Sequence, residues 1–109
     1  MNVRLYALQR ATALVMVPLV LLHIAVIFYA ARVGLSAADI LARTRGSIGW
    51  ATFYAVFVLA AATHGAIGVR SVAADWAGVR GGKLDILTWG LGMILAALGL
   101  RAVAAVVLP

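Results

Sequence analysis

Three long apolar stretches separated by short polar links dominate the chain. Ala11 to Ala31 carries no formal charge and is bounded by Arg10 and Arg32. At about 1.5 Å per residue, such a run covers roughly 30 Å, the thickness of a bilayer's hydrocarbon core. A second stretch extends from Ser47 to Val69 and ends at Arg70. The third, Ile86 to Leu108, is interrupted only by Arg101, near enough to its end for the guanidinium to snorkel outward. Trp50 and Trp89 fall near the ends of the second and third stretches, where an indole ring prefers to sit. The pattern predicts an all-α integral membrane protein: three transmembrane helices, at about residues 11–31, 47–70 and 86–108, in an up-down bundle.

The links carry their own signals. Pro18 lies inside the first span and predicts a bend near Leu14–Pro18, which membrane helices tolerate. Gly34 can close that helix, and Ser36-Ala-Ala-Asp39 reads as a capping box with Asp in place of Glu. Ile40 and Leu41, with Arg43 and Arg45, then predict a short interfacial helix between spans one and two. The second link, Ser71 to Asp85, contains Gly78, Gly81 and Gly82 and reads as a loop after one further helical turn.

Composition agrees with lipid as the solvent. The chain is 66% hydrophobic and only 11% charged over 109 residues, with a mean hydropathy of +1.13. A soluble domain of this size leaves too much surface in water to hide so many apolar groups. Nine basic residues against three acidic ones give a net charge of +6. They sit at the ends of apolar runs rather than in one patch, which is the mark of membrane topology and not of nucleic-acid binding. The absence of cysteine excludes disulfides, thiolate chemistry and iron–sulfur clusters held by this chain. The first apolar run is longer than a signal-peptide core and no clear small-residue cleavage site follows it, so no cleavable targeting segment is expected. Arg4, Arg10, Arg70, Arg80 and Lys83 share one side; Arg32, Arg43, Arg45 and Arg101 share the other. The slight excess places the amino terminus inside.

Ionisable residues within a span are costly and each needs an account. Stepping about 100° per residue, Phe57, His64, Gly68, Ser71 and Asp75 fall within roughly 60° on one face of span two. A glycine one turn from a histidine leaves space for a flat ring to approach the backbone, and a neutral imidazole there is a good axial ligand for haem iron. Ser71 and Asp75 emerge at the inner interface, where a quinone headgroup can hydrogen-bond. Spacing alone leaves a second reading open, in which Ala61/Gly65 is a small-residue packing pair and His64 bonds a backbone carbonyl on a neighbouring span. His23, midway along span one, lies at a depth differing from that of His64 by roughly 9 Å, which disfavours both binding one haem. An interhelical hydrogen bond, a haem role and a proton path all remain open for it.

Two motifs carry a resemblance over nearly the whole chain. One is Gln9-Arg10-Ala11-Thr12-Ala13 at the mouth of span one; the other is His64-Gly65-Ala66-Ile67-Gly68-Val69-Arg70, followed by Asp75-Trp76. Together they make the chain resemble the small three-span anchor subunits, of cytochrome b type, of succinate dehydrogenase and fumarate reductase. The resemblance implies a single membrane-anchor domain over residues 1–109 that helps to bind haem b. His64 would be the axial ligand to the haem iron, and Arg10 would lie near the haem propionates or the quinone. Gly68, Ser71, Asp75 and Trp76 would line a pocket for ubiquinone or menaquinone. Where the family often has a tyrosine that donates to the quinone carbonyl, this chain has Trp76, whose indole donates but supplies no phenolic proton. Features of both anchor types are present, Gly68-Val69-Arg70 resembling one and Arg10-Ala11-Thr12-Ala13 the other.

The implied partners are a flavoprotein subunit, an iron–sulfur subunit and a second membrane anchor, with FAD and the iron–sulfur clusters confined to those chains. The implied location is a bacterial inner (plasma) membrane, multi-pass, with the amino terminus cytoplasmic. By this reading the chain performs no catalysis alone and belongs to an enzyme only as a non-dehydrogenase subunit. The alternatives are a haem-free structural membrane subunit and a small transporter or pore subunit. The second is weakened because Asp39, Asp75 and Asp85 all lie outside or at the edge of the spans, whereas ion coupling usually needs a carboxylate deep within one.

Overall fold

The first helix is started by a side chain. Asn2 Oδ1 accepts the amide of Leu5 at 2.8 Å, satisfying one of the orphan donors of a helix start. From there α1 (Val3–Val33) continues through Pro18 without interruption. It stops at Gly34, whose φ of 76° lets the amides of Gly34 and Leu35 both return to the Ala30 carbonyl at 3.0 Å. This computed structural model describes residues 2–109.

The expected capping box forms and opens α2 (Ala37–Thr44): Asp39 N–H donates to Ser36 Oγ at 3.1 Å, and Ser36 N–H donates to Asp39 Oδ2 at 2.9 Å. These bonds, the backbone amide first, hold the Asp39 carboxyl below its ordinary value of 3.8. Beyond a turn at Gly46 (φ 72°), Ser47 caps α3 (Ile48–Trp76) through Trp50 N–H at 3.2 Å. After Ala77 to Arg80, α4 (Gly81–Val107) completes the chain.

Helix bounds differ from span bounds for a physical reason. Charge marks where lipid ends, not where a helix ends, so α1 begins at Val3 rather than near Ala11. The expected further helical turn, Ser71-Val72-Ala73-Ala74, forms, and α3 runs on to Trp76. The loop itself is shorter than expected, only Ala77 to Arg80, and turns at Gly78 (φ 69°), where Val79 N–H reaches back to Ala73 O at 3.1 Å. Gly82 lies in the first turn of α4 instead of in a loop.

The central helix is α3, antiparallel to a neighbour on each side. Toward α4 the contact is made by small residues: a Cβ added at Gly92 would lie 3.4 Å from Ala66 Cβ, one at Gly65 3.7 Å from Leu95 Cδ1, and one at Gly99 would collide with Val58. Ala61/Gly65 therefore packs against α4, as small residues do where backbones approach closely in lipid. Toward α1, Ser71 and Asp75 share a cavity with Asn2 and Leu5, Gly68 lies beside Gln9, His64 meets Thr12, and Phe57 meets His23. The whole predicted stripe thus faces α1.

The link helix fastens the opposite end. Thr44 is almost fully buried and donates to Val106 O at 2.6 Å, while Gly46 N–H donates to Val107 O at 2.8 Å. Both acceptors belong to the last turn of α4, where carbonyls have no partner within the helix. The bundle measures 48 × 23 × 22 Å, long enough to cross a bilayer of about 40–45 Å with its headgroups. Leu14, Leu21, Phe28, Trp89 and Met93 all point outward with more than half their surface open. That is costly in water and natural in lipid or against another membrane chain.

Candidate functional site

Thr12 is the one buried polar residue of α1. Its hydroxyl lies 2.9 Å from Leu8 O and 3.0 Å from Gln9 O on its own helix, and 3.2 Å from His64 Nδ1 across the seam. His64 is half-buried and lines a groove of about 390 Å³ whose other walls are Ala13, Met16, Val17, Val20 and Leu21. Nε2 has no partner among the described residues, yet it is not sealed in by protein. One ring nitrogen is thus tied to α1, the other has no partner, and the other walls of the groove that the residue lines are aliphatic.

Nearer the amino-terminal end of α1 the same seam becomes polar. Ser71 and Asp75 line a cavity of about 380 Å³ with Asn2, Arg70 and Arg80. Ser71 Oγ and Gln9 Oε1 are both buried without a hydrogen-bond partner, a condition that normally signals a missing water, ligand or neighbour. Beside Gly68 lies the side chain of Gln9: a Cβ there would meet Gln9 Nε2 at 3.5 Å, an ordinary van der Waals contact. Arg10 and Trp76 line neither cavity. Arg10 is exposed, with its guanidinium 5.9 Å from the Tyr6 ring centroid, and Trp76 is 86% exposed at the end of α3.

The arrangement is a membrane helix pair with an accessible imidazole in its apolar part and a hydroxyl and carboxylate at its mouth. The sequence model of the succinate dehydrogenase/fumarate reductase transmembrane subunit matches residues 1–104. The chain belongs to that family. It is accordingly a multi-pass membrane subunit of a multi-subunit succinate dehydrogenase or fumarate reductase complex. Comparison with curated proteins and with solved structures returns no match.

In this transmembrane subunit the two histidines are separated. His23 sits edge-on to Phe57 (5.3 Å, 79°) and to Tyr54 (5.9 Å, 87°), and its Nδ1 is buried without a partner. It lines a different cavity, of about 380 Å³, with Thr44, Val58 and Gly99. Phe57 lies two turns of α3 from His64, or roughly 10 Å. The histidines therefore do not address one plane. His23 makes aromatic contacts where an interhelical hydrogen bond was one expectation.

Two features escaped sequence reasoning. Thr12 stood within the quoted motif, but a threonine in a membrane helix usually bonds its own backbone, so nothing marked it as a partner of His64. Arg70, counted among the basic residues of the inner side, is committed within the chain: its guanidinium binds Asp85 at 2.9 Å and Thr88 Oγ1 at 3.1 Å. The available signal was a lone acid at the start of span three opposite a lone base at the end of span two. No group of three or more His, Cys, Asp or Glu able to hold a metal occurs among the described residues. An axial haem ligand is a single imidazole and needs no such cluster.

Proposed function

We propose that this chain is a membrane-anchor subunit that contributes one axial ligand to haem b, shares a quinone site and seats the soluble flavin and iron–sulfur subunits. The observation that carries the reading is the imidazole of His64, which lines an aliphatic groove within the span and whose Nε2 is neither partnered nor sealed in by protein. A haem bound there supplies one-electron chemistry between the partner chains' clusters and the quinone. His64 offers only one ligand and His23 lies at another level, so the second ligand comes from a second anchor chain. Haem b and quinone are typical of the family, which adds to the reading.

The quinone accepts two electrons and two protons, and the polar end of the α1–α3 seam suits that demand. Ser71 and Gln9 bring unpartnered oxygens to it, and exposed Asp75 can pass protons from water. Arg10, on the outer surface of the same end of α1, supplies positive charge for a haem propionate or a reduced headgroup, and Trp76 offers an indole donor at the interface. Exposed Arg4, Arg80 and Lys83 form the basic inner surface on which the soluble subunits dock. Arg70 is spent on Asp85 and contributes less to that surface. The amino terminus is cytoplasmic, in a bacterial inner membrane, and residues 1–109 act as one anchor domain with no catalysis of their own.

A reduced-minus-oxidised spectrum of the complex purified with its partners tests this. The wild type shows a low-spin b-type signal that His64→Leu abolishes while the chain still inserts; a retained signal contradicts the assignment. One observation favours a second reading, a haem-free structural subunit: the Thr12–His64 contact satisfies one imidazole nitrogen and so serves as an interhelical tie. A complex with no haem signal supports that reading.

A further inference from the structure

The hydroxyl of Thr12 has one proton and two claimants on its own helix, the Leu8 carbonyl at 2.9 Å and the Gln9 carbonyl at 3.0 Å. A hydroxyl bonded backward in this way presents only lone pairs to the other side. The contact at 3.2 Å to His64 Nδ1 is then a bond donated by the imidazole N–H. A neutral imidazole carries one N–H, so the proton on Nδ1 leaves a lone pair on Nε2, the nitrogen that has no partner and remains accessible.

We propose that Thr12 is a positioning residue for His64: backed by the Leu8 and Gln9 carbonyls, its hydroxyl fixes the imidazole as the Nδ1–H tautomer, holds the ring plane and turns the Nε2 lone pair into the groove. The proposal deepens the haem reading given above and rests on it for its consequence, although not for the tautomer itself. The relay runs from backbone carbonyl through hydroxyl to imidazole, so α1 determines what α3 presents. A ligating histidine whose other nitrogen donates to an oxygen is oriented and is a stronger donor. Thr12 is buried, so water does not readily replace it.

Thr12→Val keeps the shape and removes the hydroxyl, Thr12→Ala removes the hydroxyl with less bulk, and Thr12→Ser restores it. The first readout is ¹⁵N NMR of the full chain in lipid nanodiscs without haem, with His64 assigned by its loss in His64→Leu. The wild type and Thr12→Ser show a single Nδ1–H tautomer, whereas whichever of the Val and Ala variants inserts shows mixed tautomers. The second readout is the assembled complex. Removing the hydroxyl raises the haem midpoint potential and weakens haem retention about 10–100-fold, and Thr12→Ser restores both. An Nε2–H tautomer in the wild type, or hydroxyl-free variants identical to it in both readouts, overturns the proposal. So does a Ser variant that behaves like Val. Haem retained in His64→Leu instead defeats the haem reading, while the tautomer measurement still decides the role of Thr12.

Discussion

At the scale of single residues, much depends on what a side chain is denied in lipid. With no water to satisfy it, the imidazole of His64 needs a partner for each nitrogen, and the chain supplies one through Thr12. Gly99 shows the opposite constraint, since Val58 already occupies the place of its missing Cβ. Gly99→Ala forces α3 and α4 apart at a cost of about 1–3 kcal/mol. Unfolding in detergent micelles measures it, and Val58→Ala recovers most of the loss; an unaffected Gly99→Ala protein contradicts the contact. His64 was legible in the sequence because an imidazole in an apolar run stands out and its helical stripe can be counted. Thr12 was not, because its pairing depends on how α1 rotates against α3, and neither pattern nor propensity specifies rotation. Gly68 shows the same dependence, since what lies beside it is set by the docking of α1, which brings Gln9 Nε2 to 3.5 Å from the place of a Cβ.

Among the elements, the spans were read correctly because some 20 apolar residues have few other uses. The start of α1 at Val3 was missed, whereas one further turn of α3 was expected and α3 runs on to Trp76. The link helix α2 was marked by its cap, Ser36 with Asp39, and the structure shows why it matters: its end closes the last turn of α4 through Thr44 and Gly46. Its cap depends on pH. Because the folded Asp39 pKa lies below its ordinary value of 3.8, the contribution is complete above that value and disappears as pH falls through the folded one. Hydrogen exchange at the Ser36 and Asp39 amides should therefore gain protection from the cap above pH 3.8 and lose it on further acidification. Asp39→Ala removes that difference, and a pH response unchanged by the substitution contradicts the cap.

The molecule as a whole is an incomplete bundle. Among the described residues only a few apolar side chains are buried, including Ala62, Ala66 and Ile67 on α3, while large ones cover the outside. Its imidazole groove lies on the flank of the α1–α3 pair, where lipid or another membrane chain must close it. Membership of the succinate dehydrogenase/fumarate reductase transmembrane family supplies the context in which such a flank has a partner. On the proposed haem reading, the separation of His23 from His64 keeps the two from ligating the same haem. The most direct test is the number of b-type haems per purified complex, counted in the wild type, in His64→Leu and in His23→Leu. The account predicts one haem in the wild type, none in His64→Leu and one in His23→Leu. A haem that survives in His64→Leu, or is lost only in His23→Leu, contradicts it.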